Sequence, residues 1–415
     1  MERVELARLL GAATGPVRPR AVTISTAEPA EFMAQFAAGV AAGGTVFVAD
    51  PRWGASERSQ FSALINPERR TQNSEPGGSA GWLCLPTGGS SGAVRLARHD
   101  QDTVAAAVGG FRRHFQVGRV DAVGVLPLHH VSGLMACLRC ALTGGRYVPW
   151  AWAELEAGRW PEAAAGDWFL SLVPTQLQRL LDQPAAVARL RRFRAVLLGG
   201  GPSWPDLLDR AAEARLPLAP GYGMTETAAM IAALRPEEFL AGRRGCGPPL
   251  PHGRIAIGAD GGIELAGDSL FRGYYPDRRS AGPWLTGDLG RLDELGGLHW
   301  LGRRDATIIT GGEKVDPGEV EAVLRAAGTW ADVAVVGLPD AEWGEVVVAC
   351  HPAGAAAPDL AVVAAAVAAR LAPHKRPKRY LALARWPRSP QGKLNRAELR
   401  ALAQEAAGGV RPDAV

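Results

Sequence analysis

The 415-residue sequence has no run of about 18 consecutive apolar residues, the length needed to cross a bilayer. It also lacks the apolar stretch and cleavage site of a secretory signal, because acidic residues occur within the first five positions. The five cysteines are an odd number scattered over a long chain, which argues against a disulfide framework. These absences predict a cytoplasmic protein with reduced thiols and no membrane span.

The excess of basic over acidic residues is also small, since the formal net charge is only +4. So small an excess gives no reason to expect a nucleic-acid partner, whereas anionic small molecules suit it equally well. Cys137 and Cys140 have the C-x-x-C spacing, but no second pair accompanies them and their surroundings are apolar. We expect two small buried residues there rather than a metal or redox site. No pattern indicates an oligomeric state.

The remaining sequence divides into three regions by pattern, and its length favours two domains. Short apolar runs alternate with helical segments over residues 81–235, among them a predicted helix at 101–115, as in parallel sheets with helices on both faces. Short strand candidates rich in glycine and proline follow, and after residue 302 a small α+β pattern begins. The predicted fold class is α/β, with a large N-terminal domain of doubly wound parallel sheets and a β-rich subdomain, plus a small mobile C-terminal α+β domain. The predicted boundaries are 1–302 and 303–415.

Ligand-binding loops of such parallel sheets lie at the carboxyl ends of the strands. The glycine-rich segments 199–202 and 221–223 are therefore expected to be loops after strands. Residues 1–80 contain a strand candidate at 44–48 and turn-rich stretches, with no recognisable chemistry.

A stretch at residues 86–96 (PTGGSSGAVRL) has the composition of a phosphate-binding loop. Its glycines allow positive φ, so that successive N–H groups converge on an anion, while hydroxyls and one guanidinium add donors. The candidate ligands are Thr87, Gly88, Gly89, Ser90, Ser91, Gly92 and Arg95. The stretch has neither the Gly-Lys-[Ser/Thr] end of a Walker loop nor the spacing of a dinucleotide fingerprint. Taken alone, it is equally compatible with an exposed turn.

Eight short segments in one order give this loop its context. They are residues 86–96, 127–133, 199–202, 221–227, 285–288, 301–305, 311–314 and 390–394. The ordered set resembles the adenylate-forming superfamily of acyl-CoA synthetases, adenylation domains and firefly-type luciferases, and the resemblance covers roughly residues 81–400. It implies an enzyme that uses ATP, Mg²⁺ and coenzyme A to activate a carboxylic acid.

Making an acyl adenylate brings a carboxylate against the α-phosphate of ATP, so the site must supply cations and oriented donors. The resemblance implies that the glycine-rich loop holds the β- and γ-phosphates and that Thr225 bonds the α-phosphate. Glu226 is expected to coordinate Mg²⁺, because a carboxylate is a hard oxygen ligand. Lys393, in the segment QGKL, is expected to reach both the carboxylate and the α-phosphate during adenylation.

The same resemblance implies a nucleoside site. The residues expected at the adenine are Gly199, Gly200, Gly201, Tyr222 and Gly223. Asp288 and Arg303 are expected to hold the ribose hydroxyls, since an acid and a base can hydrogen-bond them together.

Further residues are implied for the acid, the thiol and the domain movement. His130 is expected to gate the acyl and pantetheine channels, and no third ligand suggests a zinc site beside His129. Asp305 is the expected hinge for rotation of the small domain, which would bring Gly311 and Gly312 to the coenzyme A tunnel. The basic run at 374–379 is interpreted as a solvated surface rather than as part of the site.

Two departures from the superfamily pattern concern the subfamily. The phosphate loop begins early, which implies a short N-terminal portion, and Arg95 stands where a lysine is usual. With the segment 171–181 (SLVPTQLQRLL), the short portion most resembles the o-succinylbenzoate–CoA ligases of menaquinone and phylloquinone synthesis. Such a diacid needs donors for its unreacted carboxylate, and His129, Ser132 and Thr175 are the candidates.

Other functions remain open at this stage. Another aryl or fatty acid–CoA ligase and an adenylation enzyme that loads a carrier protein share the first half-reaction. The absence of a carrier domain with a phosphopantetheine serine favours free coenzyme A. A nucleotide-binding relic is the non-enzymatic alternative, and retention of Glu226 and Lys393 argues against it.

Overall fold

The computed structural model describes residues 8–11, 20–66, 81–87, 94–162, 166–327, 330, 332–354, 360–388 and 394–408, with the side chains of Asp305, Lys314 and Leu360 excepted. Within this part of the chain the helices are α1 Pro29–Ala41, α2 Ala55–Ile65, α3 Gln101–Phe115, α4 Val131–Leu142, α5 Trp152–Glu156, α6 Pro174–Leu181, α7 Pro184–Leu190, α8 Pro205–Glu213, α9 Pro236–Leu240, α10 Pro317–Ala326, α11 Leu360–Arg370 and α12 Arg396–Gly408.

The first sheet has four strands in the order in which they occur along the chain. They are β1 Arg20–Ile24, β2 Gly43–Val48, β3 Leu83–Thr87 and β4 Arg95–His99. The first three strands are parallel, and β4 runs antiparallel to β3, with Thr87 opposite Arg95. Arg95 is therefore the first residue of a strand rather than part of a loop, and the residues between 87 and 94 connect two paired strands.

The second sheet has six strands. They are β5 Asp121–Gly124, β6 Tyr147–Pro149, β7 Trp168–Leu172, β8 Ala195–Leu198, β9 Leu218–Met224 and β10 Ala229–Ala233, in the order β10-β9-β8-β7-β5-β6. All neighbours are parallel except β9 and β10. The strands are nearly continuous apolar runs because helices cover the sheet, as the βα alternation of the sequence predicts.

Helices α3 and α4 pack against both sheets. Val104 and Leu134 lie in a core with strands of the first sheet, whereas Phe111 and Cys140 lie in a core with strands of the second. Helix α3 has the bounds that the sequence predicts, because Asp100 accepts hydrogen bonds from the first-turn amides in a capping box. Cys137 and Cys140 are buried on α4, which confirms their predicted place in the interior.

A third, antiparallel sheet forms the β-rich region. Its strands are β11 Gly253–Ile257, β12 Gly262–Gly267, β13 Trp284–Leu292 and β14 Leu298–Arg303, paired in chain order. Its inward residues, among them Ile263, Leu265 and Leu298, share a core with Tyr222 and Ile231. This sheet therefore packs beside the antiparallel edge of the second sheet.

The C-terminal region has a five-stranded sheet of its own. Its strands are β15 Ile308–Thr310, β16 Glu313–Val315, β17 Ala334–Asp340, β18 Gly344–Pro352 and β19 Arg379–Leu383. Two apolar cores, one with α10 and α11 and the other with α12, lie on it and contain only residues after 307. Among its contacts with the rest of the chain, the Arg325 guanidinium lies 5.1 Å from the ring centroid of Trp204, and Arg304 pairs with Asp260 at 2.8 Å.

These sheets confirm the predicted α/β class, with parallel sheets, a β-rich region and a C-terminal α+β region. One local prediction is wrong, because Tyr222 and Gly223 lie inside β9 rather than in a loop after it. The strand continues since β10 pairs with it, and a Cβ on Gly223 would lie 2.0 Å from the Ala229 carbonyl oxygen. None of the described helices has the length and apolar character required to span a membrane.

Candidate active site

Thr225 and Glu226 lie in a 3-10 turn, Thr225–Thr227, between β9 and β10. Ala228 and Ala229, which close the turn, have φ of 51° and 76°, a left-handed backbone that alanine rarely adopts. The Thr225 hydroxyl donates to the Pro86 carbonyl at 3.4 Å. The turn is thereby joined to the last residues of β3, where the glycine-rich segment begins.

A buried histidine, His99, is hydrogen-bonded to the backbone of the Thr225–Thr227 turn. His99, at the end of β4, has its Nε2 2.7 Å from the Thr225 carbonyl oxygen and its Nδ1 3.1 Å from the Thr103 hydroxyl. Since a carbonyl only accepts, the Nε2 atom carries the proton. Burial lowers the pKa of His99 from 6.5 to about 4, so the ring is neutral at pH 7.

The Glu226 carboxylate is buried and receives a phenol. Tyr274 donates its hydroxyl to Glu226 Oε1 at 2.6 Å, and the Arg95 guanidinium lies 4.6 Å from the Tyr274 ring centroid. Burial, followed by the Glu226 charge, raises the pKa of Tyr274, which keeps the phenol a neutral donor. Arg95 and Glu226, predicted from separate segments, are thus linked through an aromatic ring that the sequence reasoning missed.

A second carboxylate–phenol pair lies nearby on β9 and β13. Tyr222 donates its hydroxyl to Asp288 Oδ2 at 2.6 Å, and Arg303 Nη1 lies 3.3 Å from Asp288 Oδ1. Arg303 reaches the Asp288 carboxylate because the two residues are opposite one another in the β13–β14 register. Asp288 is 5% exposed, while Arg303 is exposed, so only one side of the cluster faces solvent.

The glycines at 199–201 follow β8, as predicted for a loop at the carboxyl end of a parallel strand. A Cβ on Gly199 would lie 3.6 Å from the Gly221 carbonyl oxygen, and Gly200 has φ of 78°. Gly201 borders Pro174, the first residue of α6. The segment therefore lies between β9, which carries Tyr222, and the helix that carries Thr175.

Thr87 ends β3, and its hydroxyl is buried with no hydrogen-bond partner among the described residues. Gly88, Gly89, Ser90, Ser91 and Gly92 lie outside the described residues, as does Lys393.

The predicted hinge and tunnel residues lie in the C-terminal region. Asp305 is in the middle of a 3-10 turn, Arg304–Ala306, directly after β14. Gly311 and Gly312 connect β15 to β16 with φ of 57° and 83°, and a Cβ on Gly311 would contact the Trp343 ring at 2.8 Å. Lys378, from the basic run, lies 5.5 Å from the centroid of the same ring.

Other members of the basic run make structural bonds instead. Lys375 pairs with Glu319 at 2.7 Å, and Arg376 donates to the carbonyl of Leu371.

The two predicted histidines lie against a pair of residues from the loop after β2. Arg52 Nη2 is 3.1 Å from His129 Nε2 and 3.2 Å from His130 Nε2, and Asp50 holds the same guanidinium at 2.8 Å. Asp50 also approaches His129 Nε2 at 3.4 Å. Ser132 and Thr175 lie in the first turns of α4 and α6, and no hydrogen bond within the described part of the chain joins them to this group.

Asp50 supplies the third candidate metal ligand that the sequence did not suggest. One ligand atom each from Asp50, His129 and His130 lies within 4.8 Å of the others. Arg52 nevertheless contacts all three side chains, so a guanidinium already stands where a cation would.

Two family models match the chain, that of the AMP-binding enzyme over residues 73–275 and that of the AMP-binding enzyme C-terminal domain over residues 319–393. The chain belongs to the AMP-binding enzyme family. The two matches together account for most of the chain and confirm the superfamily resemblance.

Similar proteins of this family include a 2-succinylbenzoate–CoA ligase of Geobacillus kaustophilus, 34% identical over 328 residues, which are 75% of this chain and 63% of the relative. The chain thus spans less than two thirds of that relative's length. A structure of an E. coli MenE variant with bound OSB-AMS is 26% identical, with a TM-score of 0.75 and coverage of 97% of this chain and 92% of that one. The O-succinylbenzoate coenzyme A synthetase of Bacillus subtilis, 24% identical with a TM-score of 0.78 and coverage of 95% and 92%, shares the fold.

Sequence reasoning missed Asp50, Arg52, His99 and Tyr274 in this AMP-binding enzyme. For the first two a signal existed, because they follow the strand candidate at 44–48 at its carboxyl end, where ligand loops are expected. His99 and Tyr274 carried no such signal, since their contacts depend on pairing between distant segments.

Proposed function

We propose that this AMP-binding enzyme is an ATP-dependent, AMP-forming acid–CoA ligase that acts through an acyl-adenylate intermediate. The observation that carries the proposal is the contact between Thr225 and Pro86, which joins the Thr-Glu turn to the start of the glycine-rich segment. The Thr225 hydroxyl, the Glu226 carboxylate and the start of the glycine-rich segment would then serve one nucleotide site, beside the Asp288–Arg303 pair. The name of the Geobacillus relative supports the same reaction class.

The nucleotide would be held by these groups. Segment 87–92 with Arg95 would hold the β- and γ-phosphates, Thr225 the α-phosphate, and Asp288 with Arg303 the ribose. The buried Thr87 hydroxyl, which lacks a partner among the described residues, fits a phosphate contact. Tyr222, Gly223 and the glycines at 199–201 would border the adenine.

Magnesium fits the chemistry of the turn. Glu226 accepts the Tyr274 phenol on Oε1, and no described hydrogen bond occupies its Oε2, so one carboxylate oxygen remains for a cation. Mg²⁺ prefers such oxygen ligands and would neutralise phosphate charge there. Tyr274 fixes the orientation of the carboxylate without competing for a proton.

The second half-reaction would use the C-terminal region. We place the domain boundary between residues 302 and 303, the hinge at Asp305 and the coenzyme A tunnel beside Gly311 and Gly312. Lys393 would act in adenylation, and His130 would gate the acid and thiol channels. A cytoplasmic location, predicted from the sequence, belongs to the same proposal.

The proposed acid is 2-succinylbenzoate, which would place the enzyme in menaquinone or phylloquinone biosynthesis. The succinyl carboxylate would be activated and the ring carboxylate left unreacted. The relative's name and the 26% identical MenE variant with bound OSB-AMS support this assignment. His129, Ser132 and Thr175 remain the proposed polar lining for the acid.

An ATP–pyrophosphate exchange assay over a panel of acids tests the activity. We expect exchange with 2-succinylbenzoate, and a kcat/KM for CoA-thioester formation that exceeds those for benzoate, a cinnamate and a medium-chain fatty acid. A monocarboxylate preference would reduce the proposal to a general acid–CoA ligase. Exchange without thioester formation from free coenzyme A would instead indicate a carrier-protein acceptor, and the absence of exchange with every acid would indicate a relic.

A further inference from the structure

The loop after β2 places a held arginine against the histidine motif. Asp50 accepts from Arg52 Nε on Oδ1 and from Nη2 on Oδ2, both at 2.8 Å, and also accepts the Arg52 backbone amide. This fork fixes the plane of the guanidinium and aligns it with the two histidines. Arg52 is 77 positions from His129 and 78 positions from His130 in the sequence.

The Arg52 guanidinium has hydrogen-bond donors that Asp50 does not use. Asp50 takes the Nε hydrogen and one Nη2 hydrogen, and the second Nη2 hydrogen remains for the two histidine Nε2 atoms. Arg52 Nη1 has no acceptor in the described part of the chain. The Arg52 side chain is 30% exposed, so these two Nη1 hydrogens are within reach of a small molecule.

The sequence candidates for an anion partner are weaker. Ser132 and Thr175 are neutral, and burial lowers the pKa of His129 to about 4, so His129 is neutral at pH 7. A carboxylate enclosed beside them without a cation would lose several kcal/mol of solvation. Arg52 is a cation that contacts His129 directly.

We propose that Arg52 binds the unreacted ring carboxylate of a dicarboxylic acid substrate through Nη1 and thereby selects diacids over monoacids. The inference rests on the proposed ligase function and names the residue that sets its acid specificity. Asp50 positions the guanidinium by occupying its other edge, and His129 borders the bound carboxylate as a neutral group.

The same geometry opposes a metal in this place. A divalent cation bound by Asp50, His129 and His130 would have to displace Arg52 from its contacts with all three. The pairing of Asp50 with Arg52 makes their combined charge zero, so the attraction for a carboxylate comes from oriented donors rather than from net charge.

A comparison of two acids tests the proposal. The first acid is 2-succinylbenzoate, and the second is 4-oxo-4-phenylbutanoate, which keeps the ring and the succinyl arm but lacks the ring carboxylate. We expect Arg52→Gln to lower kcat/KM for the diacid by about 10- to 100-fold more than for the monoacid, because one charge-assisted contact is lost only with the diacid. Arg52→Lys, which keeps the charge without the fork, is expected to lie between.

Arg119→Gln is the matched control. Arg119 also forms a fork with an aspartate two residues away, at 3.0 Å and 3.3 Å to Asp121, but lies at the opposite end of β5. This variant should change the ratio of the two acids by less than about twofold, and melting temperatures verify that each variant is folded.

The outcomes separate the two proposals. If the wild type activates both acids and the Arg52 variants lose the same factor of kcat/KM with each, the ligase function stands and the proposed role of Arg52 is wrong. A wild type that shows no pyrophosphate exchange with any acid of the panel would overturn the ligase proposal itself.

Discussion

The nucleotide-side cluster (Glu226, Tyr274, Asp288 and Tyr222) and the acid-side cluster (Asp50, Arg52, His129 and His130) hold their carboxylates in different ways. On the nucleotide side each carboxylate accepts a neutral phenol at 2.6 Å, and Asp288 also pairs with Arg303 through its other oxygen at 3.3 Å. On the acid side the carboxylate is held by a guanidinium on both oxygens, and the pKa of Asp50 is lowered to about 2, since the Arg52 bonds outweigh the burial that opposes them.

This difference has a chemical consequence. A phenol orients a carboxylate without cancelling its charge, so Glu226 stays available to a cation. A guanidinium cancels the charge of Asp50 and leaves spare donors, so the acid side suits an anion. Changes on the nucleotide side should therefore affect every acid alike, whereas changes at Arg52 should depend on the acid.

Lys393→Ala is expected to have the largest effect and to be independent of the acid. Loss of a cation that meets developing charge at the α-phosphate should reduce adenylate formation by about 1,000-fold. Thioester formation from preformed adenylate should stay nearly intact. Pyrophosphate exchange and a single-turnover assay measure the two steps, and equal loss in both would show that Lys393 does not serve adenylation alone.

Asp305→Pro should separate the half-reactions without altering either cluster. Proline fixes φ and removes an N–H in the turn where rotation is proposed, so thioester synthesis should fall by about 100-fold while exchange survives. The same two assays apply, with Asp260→Asn as a control that removes the neighbouring Arg304 ion pair without restricting the backbone. Unchanged thioester synthesis in Asp305→Pro would move the hinge elsewhere.

Asp288→Asn tests the nucleotide side directly. Replacing the carboxylate that Tyr222 and Arg303 contact should raise the KM for ATP by about 10- to 100-fold, because the proposed charge-assisted contact to the ribose would be lost. The factor should be the same with 2-succinylbenzoate and 4-oxo-4-phenylbutanoate. An acid-dependent factor would break the distinction between the two clusters.

Acidification should act on the stability of the fold rather than on a reaction step, through His99 behind the Thr225 turn and His129 in the acid-side cluster. Burial lowers the pKa values of His99 and His129 in the folded state from 6.5 to about 4. Between pH 6.5 and 4 the unfolded chain therefore binds protons at these histidines that the folded chain does not. Stability should therefore fall as the pH drops from 6.5 towards 4, by up to about 1.4 kcal/mol per pH unit for each histidine.

The measurement is urea unfolding at several pH values. His99→Gln should make the pH dependence shallower by one proton. An unaltered slope in His99→Gln would mean that His99 is not neutral in the folded state.

Much of this fold could be predicted from local pattern. Helix α3 was predictable to the residue because its cap and apolar face are encoded within one segment. Tyr222 was misplaced because the extension of β9 depends on pairing with β10, and two glycines imitate a loop. Asp50 and Arg52 escaped notice since no local pattern shows that they contact residues almost 80 positions away.

The turn that presents Thr225 and Glu226 has a further consequence for how this protein can be improved. Two consecutive alanines, Ala228 and Ala229, hold a left-handed backbone that costs about 1–2 kcal/mol each relative to glycine. A selection for heat resistance would therefore favour glycine at these positions. Since glycine would also make the backbone of the turn more flexible, the more stable enzyme would position Glu226, its proposed magnesium ligand, less rigidly.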